Sequence, residues 1–211
     1  MVKEIGGILP GPLKSLYRVL NKWNSLMQDS EWEKNDVPWW YNERALLSLL
    51  AGAIWKSGGW AFEEFVTSKR MVSKRGRHGK GAGRGDIMFE IGQETFIAEA
   101  KQCWPILGYR NHSAINTVKK ALREARIQSS RLPSEGKKLG IVFAVPRLHE
   151  SKQRDSEKIL HNFVSRFRAF KNTTISWVFP KGRRTSVMDE DGYIYPGIAL
   201  MLKLLRFRKK S

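Results

Sequence analysis

The 211-residue chain carries 38 Lys and Arg against 20 Asp and Glu, a formal net charge of +18. That excess opposes compaction and points to a polyanionic partner, nucleic acid ahead of an anionic membrane surface. One cysteine, Cys103, excludes an intrachain disulfide framework and a cysteine-based zinc site, and is expected to be a small buried hydrophobe.

At 41% hydrophobic residues with eight tryptophans, the chain can bury a sizeable core, and its length predicts one domain with an added segment. Residues 1–12 hold one early lysine and no apolar run of about 7–15 residues, so no signal peptide is expected. The longest apolar run, near the C-terminus, falls short of a membrane span. The expectation is a cytoplasmic protein, nucleoid-associated when bound, with no membrane contact.

After Pro10-Gly11-Pro12, the spacing of Leu13, Leu16, Tyr17, Leu20, Trp23 and Met27 predicts an amphipathic helix. With the polar break that follows, residues 1–35 read as an N-terminal helical extension. Asp36 before Val37-Pro38 predicts the start of a helix over 38–56, apolar nearly all round and therefore buried on most faces. Glu43 falls on its apolar stripe, between the Trp39-Trp40 and Leu46-Leu47 pairs. A carboxylate there is unusual unless something pairs with it. A helix N-terminal charge or a bond to Arg44 would also account for it.

Gly58-Gly59 ends that helix, and residues 60–67 read as a strand. Residues 69–85 (KRMVSKRGRHGKGAGRG) lose apolar periodicity and predict a long basic loop. Lys69, Arg70, Lys74, Arg75, Arg77, Lys80 and Arg84 could neutralise phosphates, and the glycines allow close backbone approach. A solvated loop is the alternative. GRHGKGAG lacks the GK[ST] ending of a phosphate-binding P-loop.

Residues 83–104 (GRGDIMFEIGQETFIAEAKQCW) predict a hairpin with a type II′ turn at Gly92-Gln93. Counting outward puts Asp86 opposite Glu99, with Lys101 on the same face. Facing carboxylates repel, and a hard divalent cation such as Mg²⁺ between them would remove the penalty. The lysine could steady an attacking water or charge developing on a phosphate. An exposed face with a Lys–Glu pair is the plainer alternative.

Ser113 can cap a helix over 114–131 whose outer surface carries Lys119, Lys120 and Arg123, with His112 a weaker phosphate contact. Residues 139–145 read as a fully buried strand, 156–170 as a helix and 174–179 as another strand. Residues 193–207 contain IALMLKLL and predict a terminal helix, which with a basic end at 206–210 would pack 181–211 on the core.

Asp86 followed by Glu99-Ala100-Lys101 on the next strand resembles the PD-(D/E)XK nuclease superfamily, although Gly85 stands where the family has proline. The order helix, three strands, helix, strand, helix, strand also matches that family's core, across 36–180. The resemblance implies an α/β fold of three layers, a central mixed sheet flanked by helices. It also implies a Mg²⁺-dependent DNA endonuclease, with Mn²⁺ able to substitute, leaving 5′-phosphate ends. Asp86, Glu99 and the Ala100 carbonyl would bind the metal, Glu43 would match the helix glutamate that completes the site, and Lys101 would act on the reacting groups. A homodimer, or a partner protein supplying target recognition, fits the same expectation. Two other readings stay open: a non-catalytic nucleic-acid-binding module of this fold, and an RNA-directed protein.

Overall fold

The computed structural model describes residues 3–8, 11–29, 36–72, 78–109, 111–133, 136–181 and 189–205. Its strands are β1 (Ile5–Ile8), β2 (Trp60–Val72), β3 (His78–Ile91), β4 (Glu94–Cys103), β5 (Ile106–Leu107), β6 (Lys137–Ala144), β7 (Arg147–His149), β8 (Thr174–Val178), β9 (Tyr193–Ile194) and β10 (Ile198–Leu204). The α-helices are α1 (Tyr17–Met27), α2 (Glu43–Trp55), α3 (Asn111–Ser130) and α4 (Ser156–Ser165).

Seven strands form one mixed sheet in the order β1-β8-β10-β6-β4-β3-β2, and β5-β7-β9 make a small second sheet. Within the large sheet only β4 and β6 pair in parallel, and α3 supplies the crossover between them. The burial patterns explain this placement. β6 is buried at seven consecutive positions and β10 at five, as strands covered on both faces must be.

Helices cover both faces, giving three layers. Phe96, Ala98 and Ala100 of β4 pack with Leu16, Trp23, Leu46 and Leu50 from the α1/α2 side. Cys103 at the end of β4 packs on the opposite side with Val118 and Leu122 of α3 and Phe163 of α4. The period-2 alternation of a strand therefore turns Glu99 and Lys101 toward the α3 side.

Four sequence expectations are corrected. Of the expected helix over 193–207, the described residues 193–205 form none: β10 runs through the middle of the sheet, paired on both sides, and 206–207 lie outside the described residues. A short, wholly apolar run suits a buried strand as well as a buried helix, and only its neighbours decide. The described parts of residues 69–85, 69–72 and 78–85, are not a structureless loop. β2 and β3 pair from Trp60↔Glu90 out to Val72↔His78, so the basic stretch is largely a two-stranded ribbon. The N-terminal segment is not an appendage, since β1 pairs with β8 and α1 lies in the main core. Finally, α2 begins at Glu43 behind the N-cap Asn42, after a separate 3-10 turn Pro38–Trp40, and not at Asp36.

Candidate active site

The β3–β4 hairpin turns where expected. Ile91 pairs with Glu94, Gly92 takes φ +62 and Gln93 keeps a negative φ, the signature of a type II′ turn. Pairing then proceeds outward to Ile87↔Ala98 and stops. The next pair, Asp86 with Glu99, is not made, which corrects the register expectation. From Gly85 back to His78, β3 pairs only with β2, and Asp86 itself is in neither ladder. Even there the ladder steps from Glu63↔Ile87 to Phe65↔Gly85, skipping Glu64, whose φ is +51. The sheet forks at Asp86.

β4 continues past the fork with an open edge, and two carboxylates occupy it. The Ala100 N–H donates to Asp86 Oδ2 at 2.7 Å, and the Gln102 N–H donates to Glu43 Oε2 at 2.6 Å. These side chains replace the carbonyls that a paired strand would have offered. The two amides lie two residues apart on one strand, about 6.7 Å. A strand residue presents its N–H and C=O to the same side, so the Ala100 carbonyl points to the same edge, between the two acids.

Glu43 reaches the edge because α2 starts there. Asn42 Oδ1 accepts the Ala45 N–H at 3.1 Å, capping the helix and aiming its first residue at β4. The Gln102 side chain adds a second tie by donating from Nε2 to the Tyr41 carbonyl at 2.8 Å. Burial pushes the Glu43 carboxyl above its ordinary pKa of 4.5; the positive charge of Lys101 and the Gln102 amide pull it back, and Asp86 raises it further. The charges of Lys101 and Asp86 thus both act on Glu43.

Glu99 stands apart. It is 3% exposed, beneath α3. Its N–H donates to Ser129 Oγ at 3.1 Å, and that hydroxyl donates to the Leu139 carbonyl at 2.5 Å. Its register partner on β6 is Gly140, where a Cβ would come within 3.0 Å of the Arg126 backbone nitrogen. Glycine there lets α3 sit directly on the strands. Among the described residues, no group of three or more His, Cys, Asp and Glu side chains is gathered to hold a metal ion. The expected trio of Asp86, Glu99 and Glu43 is therefore not assembled. The fork holds Asp86 at the β4 edge, while α3 packing holds Glu99 below the helix.

The residues at the fork do fit a hard cation. Two carboxylates and a carbonyl are oxygen donors, and Mg²⁺ is commonly held by one or two carboxylates with water completing its shell.

Of the expected phosphate contacts, Lys119, Lys120 and Arg123 are exposed on α3. Arg84 is exposed on β3, 3.9 Å from Glu64, which also pairs with Arg44 at 3.2 Å. The backbones of Lys69, Arg70 and Lys80 lie in the ribbon, but their side chains, like that of His112, fall outside the described part, as do Lys74, Arg75 and Arg77 entirely.

Sequence reasoning missed Asn42, Gln102 and Ser129. Asn42 was findable as a capping residue one place before Glu43. The other two carry no local signal, because each acts on a strand distant in sequence or through its own backbone. Comparison of the chain with protein-family models, curated proteins and solved structures found no match.

Proposed function

We propose that this chain is a metal-dependent nuclease that hydrolyses phosphodiester bonds in DNA, built on a restriction-endonuclease-like core of the PD-(D/E)XK type. The observation that carries the reading is the fork itself. Where β3 leaves β4, an aspartate and a helix glutamate are bonded to consecutive outward-facing amides of the strand that bears Lys101. The hairpin, the α3 crossover and the parallel β4–β6 pair around it are in keeping with that core. The net charge of +18 supports a polyanionic substrate.

Asp86 and Glu43, with the Ala100 carbonyl, would hold Mg²⁺ or Mn²⁺. Such a cation supplies a more acidic bound water and neutralises charge on the phosphoryl oxygens. The β4 amides hold both carboxylates in place before substrate arrives, so little reorganisation is needed during reaction. Lys101 sets a positive charge beside them, where it can orient water and stabilise charge developing on the phosphate. Burial makes the Glu43 carboxylate a stronger proton acceptor than an exposed one. Glu99 is the ligand that the resemblance adds, and its variant tests that assignment separately from Glu43.

The absence of a three-acid group among the described residues favours one other reading, a nucleic-acid-binding module that kept the fold without catalysis. The two separate cleanly. Duplex, branched and single-stranded DNA, and RNA, are incubated with the protein and Mg²⁺ or Mn²⁺. Cleavage leaving 5′-phosphates is expected. Asp86→Ala should abolish it, and Lys101→Ala should lower turnover roughly 10²–10³-fold, the usual cost of one transition-state stabiliser. Loss in Glu99→Ala would give Glu99 the ligand role that the resemblance implies, and wild-type turnover there would leave the metal to Asp86 and Glu43. DNA binding should survive in all three. No cleavage of any substrate with either metal, or wild-type turnover in Asp86→Ala, sinks the nuclease reading and leaves the binding module.

A further inference from the structure

Trp39 and Trp40 are neighbours in sequence with opposite fates. Trp39 is fully buried and donates from Nε1 to the Tyr195 carbonyl at 3.0 Å, whereas Trp40 is 37% exposed. One face of Trp40 stacks on the Tyr195 ring, centroids 6.0 Å apart and planes 23° from parallel. Tyr195 is itself held from several sides. Its hydroxyl donates to Asp189 Oδ2 at 2.5 Å, and Trp104 packs edge-on against it at 5.6 Å. Trp40 is therefore the outermost ring of a braced aromatic stack, oriented at little further entropic cost.

Its position relative to the fork is also set. Tyr41 and Glu43 are both tied to Gln102, the residue after Lys101. Two residues, Tyr41 and Asn42, separate Trp40 from Glu43, a Cα span of at most roughly 11 Å. A large aromatic surface left open this close to two acids and a lysine, on a chain of charge +18, matches the two parts of a nucleotide. The charge attracts the phosphate, and the ring accepts a base.

We propose that Trp40 is a stacking platform for an unpaired base beside the phosphate held at the fork, so that the preferred substrate is single-stranded or locally opened nucleic acid. This rests on the nuclease reading for the identity of the neighbouring site. Every base has a π-face, so such a platform does not select sequence. A base inside a duplex keeps both faces covered by its neighbours, so the platform does discriminate strandedness.

The test uses the full chain in EDTA, where no metal-dependent cleavage can intervene. Affinities for oligothymidylate and for a duplex of equal length are measured at one fixed salt concentration. Trp40→Leu keeps an apolar side chain over Tyr195 without a π-face. It should weaken single-strand binding roughly 5- to 150-fold, the equivalent of about 1–3 kcal/mol of stacking per base. Duplex affinity should stay within about twofold, since phosphate contacts carry it. Trp40→Phe should recover much of the single-strand affinity, and thermal melting checks that each variant is folded. Unchanged single-strand binding in folded Trp40→Leu, or equal losses for both ligands, overturns the platform and marks Trp40 as a surface for a protein partner or a fold contact. Failure to cleave when Mg²⁺ is restored counts against the nuclease reading and leaves the strandedness result standing.

Discussion

Glu43 concentrates the energetic tension of the site in one residue. Burial, helped by the Asp86 charge, disfavours its charge more than Lys101 and the Gln102 amide favour it, so its carboxyl titrates above the 4.5 of an unfolded chain. A folded state with the higher pKa binds the proton more tightly, so the charged form costs stability at neutral pH. That cost disappears as pH falls through the raised value and is absent below the unfolded one. Glu43→Gln keeps an oxygen for the Gln102 N–H and removes the charge. It should melt at a higher temperature than wild type at neutral pH, with the gap closing as pH falls into the ordinary carboxylate range. Thermal melts across that range check it; a variant less stable at neutral pH would mean that Lys101 outweighs burial. Glu64 is a second strained residue, because a left-handed backbone costs a non-glycine residue roughly 1–2 kcal/mol. It sits opposite Asp86, where the ladder breaks on both sides. Strain of this kind persists where surrounding contacts over-determine it, here the ion pairs of Glu64 with Arg44 and Arg84. Cys103, by contrast, is inert: burial pushes its thiol up to about 12.

The element that the sequence most misrepresents is the ribbon of β2 and β3. Residues 78–85 of β3 pair with β2 alone, a projection of roughly 26 Å at strand rise. Among the described residues no third strand pairs with this part of the ribbon, and Val66 is 81% exposed. That explains why apolar periodicity fades along a segment that is nonetheless paired. A basic ribbon leading into Asp86 suits backbone contact with nucleic acid and carries little information for base readout. Replacing Lys74, Arg75, Arg77 and Lys80 together by Ala should flatten the plot of log K against log salt. On duplex DNA the slope should fall by about 0.9 for each phosphate that is no longer neutralised. A slope equal to that of wild type would show that the basic residues of 69–85 do not touch the ligand. β10 teaches the complementary lesson. Its first five residues are apolar enough to be buried in any conformation, and pairing with β6 and β8 makes them a strand.

Across the whole molecule, a charge of +18 on a single chain stores self-repulsion in the absence of a polyanion. Raising ionic strength from about 0.01 M to 0.15 M shortens the screening length from roughly 30 Å to 8 Å. The melting temperature should therefore rise with salt over that range, and rise further with heparin as a stand-in polyanion. A melting temperature that falls with salt would show that local ion pairs outweigh the global repulsion. Features carried by neighbouring residues were legible in the chain itself: the Gly92-Gln93 turn, the register out to Ile87↔Ala98, the amphipathic helices, and Glu43, Asp86 and Lys101, though not Glu99, as residues to place near one another. Turn chemistry and side-chain periodicity are local, and a few residues suffice to state them. Tertiary structure alone decided that β10 lies at the centre of the sheet, that β3 and β4 part at Asp86, and that α3 closes over Glu99. Each of these depends on groups that meet only after distant segments pack. An amide of β4 is satisfied by a carboxylate from α2, 59 positions away in the chain, and no window of sequence contains both.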